Sequence, residues 1–352
     1  MEKDILYREG NFHIRRYSGI PEDALTFLDR IAWGNEGAVY EHKNTEEHIR
    51  QLHRPSLIAI YEGEEIRGTA AFCNTPVGAN GREFNCFYIR YFASSPAIRG
   101  KGVMKNFSIK VMELIREREA AKTVYFACIE RDNRGSYRVV ESAGYTNIGT
   151  IKTMGFSRFF PRLSPRVDTL GSVAERETVL NLLRKHYRGH ALVQFNALFL
   201  NDDYYVIREG DEIVAGCQYH RVHWVVNRMK GMMGKVIMNV VPLVPLLNQL
   251  FNPRRFEFLA FEGIYCKPGY EDRLQELFES LLAQEGLKSS MFWMGETCPH
   301  RIAIERYGNP GLIHTFIKDS DVYILAAFQN MDESEIQLVK DSPLYASAFD
   351  YI

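Results

Sequence analysis

The amino-acid sequence predicts an α/β (α+β) protein made of two tandem units, each with a mixed central sheet flanked by helices. Three observations predict this class. Strand-like and helical segments alternate along the chain, a hairpin-like stretch recurs at a constant spacing, and 352 residues with 46% hydrophobic content exceed what one core usually holds. We therefore expect a first unit over residues 1–160 and a second over residues 161–352.

The first unit contains a junction between a strand and a helix that suits an anion. Residues 84–93 (FNCFYIRYFA) are aromatic and β-branched, which predicts a strand, and apolar residues over 103–115 recur at helical spacing. Between them stand two basic residues and two glycines: Arg99, Gly100, Lys101 and Gly102. Because the first turn of a helix has N–H groups without partners, this backbone predicts a phosphate or pyrophosphate site, with a structural turn as the alternative.

Residues 99–104 (RGKGVM) resemble the R/Q-x-x-G-x-G/A signature of the Gcn5-related N-acetyltransferase (GNAT) family. In that family the loop and helix start hold the pyrophosphate of acetyl-coenzyme A, which implies acetyl-CoA as the cosubstrate. The implied cofactor-binding residues are Arg99, Gly100, Lys101, Gly102, Val103 and Met104. Met104 departs from the small final residue, as in the enhanced-intracellular-survival acetyltransferases, so its side chain either points away from the cofactor or shifts it.

A second stretch extends the resemblance. Residues 123–130 (TVYFACIE) predict a further strand, and the following RDNRGSYRVVESAGY resembles the next motif of the family, which implies that Asn133 and Ser136 also bind the cofactor. Val140 stands where family members often have the tyrosine that reprotonates the coenzyme thiolate. Tyr137, one helical turn earlier, is the candidate acid, and the alternatives are an ordinary helix tyrosine and protonation by solvent.

Amide formation also needs a deprotonated amine and stabilisation of the thioester oxygen. In the family's fold the strand before the loop splays from its neighbour, which implies that the backbone of Phe92, Ala93 and Ser94 faces the thioester and the pantetheine arm. Glu130, at the end of the adjacent predicted strand, is the candidate base, with a solvated carboxylate as the alternative.

Arg90 and Tyr91 are candidates for binding the acceptor. Neighbouring strand residues point to opposite faces, so only one of the two can line the acceptor pocket. An arginine inside so apolar a strand indicates either a structural ion pair or an acceptor that carries a carboxylate.

Composition limits the other function classes. A formal net charge of −1 argues against nucleic-acid binding, and the N-terminal stretch has no apolar core of signal-peptide length, so we expect a cytoplasmic protein. The six cysteines form no C-x-x-C pair and are expected to be reduced core thiols, with no metal site. No G-x-S-x-G motif is present, which favours direct transfer without a covalent enzyme intermediate. The sequence leaves the oligomeric state open, and a homodimer is one option.

The second unit repeats the first without its anion loop. Residues 57–72 and 204–219 both predict hairpins and align at an offset of 147, whereas Pro96 and Pro268 align at an offset of 172. Residues 267–273 lack the glycine spacing and place two acids at the helix start, so this unit is expected to be degenerate. Residues 313–328 predict a closing hairpin.

The difference of 25 residues between the two offsets indicates an apolar insertion near residues 227–255. The apolar run is too short to span a bilayer, so no membrane span is expected. It predicts either a broken helix packed between the units or a hydrophobic wall or lid for the acceptor or a longer acyl chain.

The sequence therefore predicts an N-acetyltransferase that transfers acetyl from acetyl-CoA to a small amine, an amino acid or a peptide amine by direct attack. Two alternatives remain. One is a non-catalytic CoA-binding or assembly module, which the departures at Met104 and Val140 keep open. The other is a tRNA-dependent aminoacyl transferase of the tandem type, which the CoA loop and the lack of basic surplus disfavour.

Overall fold

The computed structural model describes residues 3–34, 37–170, 172–200, 203–317 and 320–352. The strands are β1 Lys3–Glu9, β2 Phe12–Ser18, β3 Trp33–Gly34, β4 Val39–His42, β5 Pro55–Glu62, β6 Glu65–Asn74, β7 Val77–Ala79, β8 Arg82–Ser94, β9 Thr123–Glu130, β10 Thr146–Ser157, β11 Val167–Thr169, β12 Ala191–Val193, β13 Tyr205–Glu209, β14 Glu212–Arg228, β15 Phe256–Cys266, β16 Ser289–Gly295 and β17 Asp321–Gln329.

The helices alternate with these strands. They are α1 Glu22–Asp29, α2 Thr45–Arg50, α3 Val103–Arg116, α4 Arg134–Ser142, α5 Val173–His186, α6 Gly231–Asn239, α7 Pro245–Leu250, α8 Glu271–Glu285, α9 Pro299–Tyr307, α10 Leu312–Ile317 and α11 Glu333–Asp341. Short 3₁₀ turns lie at Pro96–Ile98, Val241–Leu243 and Ala348–Tyr351. Among the described helices, none is both long and apolar enough to cross a bilayer.

One mixed sheet runs through both units. Its order is β1-β2-β5-β6-β8-β9-β17-β10-β16-β15-β14-β13-β11, and β4 pairs with the far end of β14. The pairs β8–β9 and β15–β16 are parallel and the other pairs are antiparallel. Helices α3 and α8 are the crossovers that join these parallel strands. The predicted mixed α/β class is confirmed.

The two units repeat the same strand order. The order β5-β6-β8-β9 is matched by β13-β14-β15-β16, so both predicted hairpins are confirmed. The strand that closes each series comes from the other part of the chain, because β17 pairs with β9 whereas β10 pairs with β16. The boundary expected near residue 160 stays a prediction, and the sheet pairing crosses it.

One local prediction was wrong. Residues 313–328 are not a hairpin, because Leu312–Ile317 forms the helix α10 and only Asp321–Gln329 is a strand. Ile313 and Ile317 pack against Gly155 of β10, where a side chain would collide with both. Contact with a neighbouring strand therefore decided the helical conformation of this short apolar stretch.

Candidate active site

The site begins where β8 and β9 separate. Their parallel pairing ends at Ile89 and Ala127, although β8 continues to Ser94 along β6 and β9 continues to Glu130 along β17. The separation coincides with a bulge in β8 at Tyr91, which has φ +49°. The residues beyond the last pair therefore face a gap between two strands that are held apart by their outer neighbours.

Helix α3 begins at one end of this gap with bare backbone. Gly100 and Gly102 have φ values of +75° and +77°, and a Cβ atom at either would meet nothing within 4 Å. The first helical hydrogen bond is donated by Asn106 to the Gly102 carbonyl at 3.0 Å. Among the described residues no acceptor contacts the N–H groups of residues 103–105, so these donors are available to an anion.

The neighbouring basic and apolar side chains leave this helix start accessible. Arg99 donates to the Ser94 carbonyl at 3.1 Å and is exposed, as is Lys101. Met104 turns inward, since a Cβ on Gly68 would lie 2.7 Å from its sulfur. The large residue is thus accommodated by a glycine in the sheet, away from the exposed side of the loop.

A cavity of about 350 Å³ opens on the gap and is lined by residues of both units. Of the residues predicted from sequence, it brings together Arg90, Tyr91, Phe92, Glu130, Asn133 and Ser136. Asn133 caps α4 by accepting a hydrogen bond from the Ser136 N–H at 3.1 Å. Ala93 and Ser94 lie further along β8, outside the cavity lining.

Glu130 is the cavity carboxylate at the end of β9. It accepts a hydrogen bond from the hydroxyl of Tyr40 at 2.6 Å, and the Tyr40 ring stacks on Trp224 with centroids 4.6 Å apart. Burial raises the pKa of Glu130 above its ordinary value, and the hydrogen bond from Tyr40 opposes that rise. A carboxylate in this state is suited to accept a proton near neutral pH.

Arg90 is occupied by the C-terminal part of the chain. Its guanidinium donates to the backbone oxygens of Phe349 at 2.8 Å and Ile352 at 3.3 Å, and it lies 3.7 Å from the Asp350 carboxylate. Burial raises the pKa of Asp350 to about 7, although Arg90 acts to lower it. The sequence offered two interpretations of Arg90, a structural ion pair or a site for an acceptor carboxylate. These contacts match the structural ion pair.

The tyrosines differ in position. The half-buried Tyr137 packs its ring against Tyr323 at 5.9 Å and does not line the cavity, so its catalytic role remains a prediction. Val140 does line it, and also lines a neighbouring apolar cavity of about 50 Å³ together with Ile89 and Phe92. Tyr91 lines the large cavity, and its buried hydroxyl has no hydrogen-bond partner among the described residues.

Sequence reasoning missed the aromatic wall of the cavity. All three tryptophans of the chain line it, Trp33, Trp224 and Trp293, and they come from distant segments. The indole N–H groups of Trp33 and Trp224 are buried without a partner among the described residues. The scarcity of tryptophan was the only signal in the sequence, because antiparallel pairing of β4 with β14 is what brings Tyr40 to Trp224.

The second unit has a matching gap that is filled. Pairing of β15 with β16 ends at Ala260 and Met291, and Gly263 has φ +58° just beyond. The buried Glu262 accepts hydrogen bonds from the Tyr345 hydroxyl at 2.9 Å, the Ser347 hydroxyl at 2.8 Å and the Phe349 N–H at 3.0 Å. Residues 343–352 therefore fill the space between β15 and β16 that corresponds to the open gap between β8 and β9.

No metal centre is evident: the described part of the chain contains no group of three His, Cys, Asp or Glu side chains placed to hold a metal ion.

Comparison with known proteins agrees with this architecture. Residues 25–145 match the sequence model described as the Acetyltransferase (GNAT) family. No curated protein matches the sequence closely enough to count as a relative. Among solved structures, Saccharomyces cerevisiae N-myristoyltransferase with bound myristoyl-CoA and inhibitors has a TM-score of 0.59 at 9% identity, covering 98% of this chain and 92% of that one.

Two bacterial structures are also similar in fold. A GCN5-related N-acetyltransferase from Kribbella flavida has a TM-score of 0.51 at 13% identity, covering 90% of this chain and 71% of that one. Another from Anabaena variabilis ATCC 29413 has a TM-score of 0.50 at 10% identity, covering 90% and 72%. At these identities the structures establish the fold, which is that of the GNAT-like acyltransferases.

Proposed function

We propose that this chain, whose residues 25–145 form a GNAT-family domain, is an acyl-CoA-dependent N-acyltransferase that moves acetyl from acetyl-CoA to a small amine, an amino acid or a peptide amine. The observation that carries the proposal is the gap between β8 and β9. It lies between β8, which leads towards the bare start of α3, and β9, which ends at Glu130 in the cavity.

The residues around the gap would bind different parts of acetyl-CoA. The N–H groups at the start of α3, with Arg99 and Lys101, would bind the pyrophosphate, and the edge of β8 from Phe92 to Ser94 would face the pantetheine arm. Asn133 and Ser136 would complete the cofactor site from α4. We propose one such site per chain, in the unit 1–160, with none in the degenerate unit 161–352.

Transfer would proceed by direct attack of the amine on the thioester carbonyl. Glu130 would accept the proton that the amine nitrogen loses as the new C–N bond forms and the C–S bond breaks. The departing thiolate needs a proton from Tyr137, as the sequence suggests, from solvent, or from Tyr91, a cavity-lining residue whose buried hydroxyl has no partner among the described residues. The acceptor would lie against the aromatic wall that includes Trp33 and Trp224.

An acyl group longer than acetyl is a second candidate, and Val140 favours it. The small apolar cavity beside the gap exists where a tyrosine at position 140 would add a ring. Turnover of acetyl-CoA against butyryl-CoA, before and after Val140→Tyr, separates the two donors. A preference for butyryl-CoA that Val140→Tyr removes would favour the longer chain, whereas acetyl-CoA preferred by both proteins would favour acetyl.

The proposal is tested by calorimetric titration with acetyl-CoA. Gly102→Glu puts a carboxylate where the phosphate would bind, so binding should fall by more than about a hundredfold. Gly269→Glu is the matched control, because Gly269 also has a positive φ, +86°, and open space, but precedes α8 in the second unit. Equal affinity of the two variants, or two sites in the wild type, would overturn the proposed site.

A further inference from the structure

Helix α6 is apolar on both faces. Its inner face buries Gly234, Ile237 and the adjoining Val241 in the protein. Its outer face presents Met232, Val236 and Val240, which are spaced by four residues and are 83%, 42% and 49% exposed. A surface helix of a globular protein normally turns charged or polar residues outward, so this outer face requires another explanation.

The apolar surface continues past the helix into the turn and α7. Twelve large apolar side chains are exposed in the described residues, and six of them lie between residues 232 and 246. The six are Met232, Val236, Val240, Leu243, Val244 and Leu246. Clustering of this kind marks a binding surface, whereas singly scattered apolar residues do not.

The charged residues within this segment are all basic. From residue 227 to residue 256 the sequence contains five lysines and arginines and no aspartate or glutamate. Arg255 is paired with Glu257 at 2.8 Å, and Asn227 donates to Glu41, whose carboxylate also contacts Lys43. The remaining exposed cations include Lys230, Lys235 and Arg254, which form no ion pair with a carboxylate of any described residue.

We propose that segment 228–255 docks on the surface of an anionic lipid bilayer. Its outer apolar side chains would enter the boundary between headgroups and acyl chains, and its unpaired cations would contact lipid phosphates. This combination of exposed apolar side chains with only basic charges in the segment is the composition of interfacial helices. Each helix is too short to span a bilayer, so the segment lies in the interface.

The position of the patch fits this role. Met229 and Phe251, which flank the two helices, both line the large cavity. Docking would therefore bring one wall of the cavity close to the lipid surface, where an amphiphilic ligand is concentrated. The inference goes beyond the proposed function and does not depend on it, since lipid binding can be measured without turnover.

The test is co-sedimentation of the full chain with vesicles of phosphatidylcholine alone or mixed with phosphatidylglycerol. We expect binding to the anionic vesicles, weakened by high salt, and little binding to the neutral ones. Met232→Ser with Leu243→Ser, and separately Lys230→Glu with Lys235→Glu, should each weaken binding by at least about tenfold.

Two exposed positions elsewhere provide matched controls. Phe160 and Leu163 are 77% and 69% exposed, but the nearby Arg158 and Arg162 are paired with Glu279. Phe160→Ser with Leu163→Ser should leave vesicle binding unchanged, as should Lys185→Glu on α5. Unchanged far-ultraviolet circular dichroism and melting temperature verify that each variant is folded.

Two results would overturn the proposal. One is equal binding to neutral and anionic vesicles, or binding that the patch variants do not weaken. The other is self-association of the lipid-free wild type, measured by sedimentation velocity, that Leu243→Ser abolishes, because the patch would then be a protein interface.

Discussion

The gap between β8 and β9 and the gap between β15 and β16 share one backbone plan. In each, a parallel pair ends, a residue with positive φ follows, and a buried charged residue directly precedes it: Arg90 before Tyr91, and Glu262 before Gly263. The first gap opens on a cavity of about 350 Å³. The second is filled by residues 343–352, which satisfy Glu262.

The helix starts differ in the same sense. Helix α3 begins after Gly102 with no acid in its first turn, whereas α8 begins with Glu271 and Asp272. A carboxylate near the positive end of a helix occupies the place that an anionic ligand would take. The start of α3 is therefore the more favourable of the two for an anion, and the side chains of the first turn make the difference.

The two gaps also share the segment that fills one of them. Phe349 donates its N–H to Glu262 and accepts a hydrogen bond from Arg90 at its carbonyl, so one residue links the two buried charges. The segment that fills the second gap thus also borders the cavity of the first, through Asp350, Tyr351 and Ile352. If the two gaps differ in chemistry as they do in packing, substitutions at matched positions should have unequal effects.

Glu130→Gln should have the largest effect. Loss of the base should lower kcat by on the order of 10³ while the affinity for acetyl-CoA stays the same. Because the Glu130 pKa is raised, wild-type activity should climb with pH as the carboxyl ionises, and this acid limb should vanish in the variant. The measurement is a pH–rate profile with a good amine acceptor.

The matched control is Glu296→Gln. Glu296 follows the end of β16 as Glu130 ends β9, but it is exposed and pairs with Lys152 at 3.2 Å. The Glu296→Gln substitution should leave kcat within about twofold of the wild-type value. Equal losses of kcat in Glu130→Gln and Glu296→Gln would show that the carboxylates of the two gaps do not differ in catalytic role.

Glu262→Gln should lower the free energy of unfolding and leave the turnover of the folded protein unchanged. The amide brings an NH₂ group among four donors that now point to carboxylate oxygens, so we expect the free energy of unfolding to fall by about 3 kcal/mol. Urea denaturation measures the change, and turnover of the folded variant is the companion assay. A stable protein with lost turnover would show that the filled gap takes part in catalysis.

Tyr91→Phe and Tyr137→Phe separate the candidate acids. Tyr91 lines the cavity and its hydroxyl has no partner among the described residues, so its loss should lower kcat by about thirtyfold, whereas Tyr137 packs against Tyr323 and its loss should cost less than about threefold. A hundredfold loss in Tyr137→Phe would restore the assignment made from sequence. If neither changes kcat, solvent protonates the thiolate.

Asp350→Asn should have the smallest effect and appear as a pH dependence. The native pKa of about 7 lies above the ordinary value, so the folded state holds a proton that the unfolded state releases, and wild-type stability falls as pH rises from about 4 to about 7. Asparagine removes this contribution. The variant should gain on the order of 1–2 kcal/mol relative to wild type between pH 5 and pH 8, measured by urea denaturation. A difference that does not vary with pH would show that the Asp350 pKa is not shifted by folding.

Local patterns predicted most of the regular structure. The strand over Thr123–Glu130, the two hairpins at 57–72 and 204–219 and the start of α3 follow from periodicity and from the placement of glycines. Both signals depend only on residues that are close together in the chain. The loop at residues 99–104 is also local, so its spacing of basic and glycine residues was visible in the sequence. The aromatic wall of the cavity was not visible in the sequence, because its members come from segments that meet only in the folded sheet.

The sequence by itself determined the mixed α/β class and the two matching hairpins, because periodicity and turn residues lie within short stretches. Only the tertiary structure decided that β17 joins the sheet of the first unit, that β10 joins the second, and that residues 343–352 fill one gap and border the other. The physical reason is that sheet edges pair through backbone groups common to all residues. Which distant strand completes an edge depends on the packing of the whole chain.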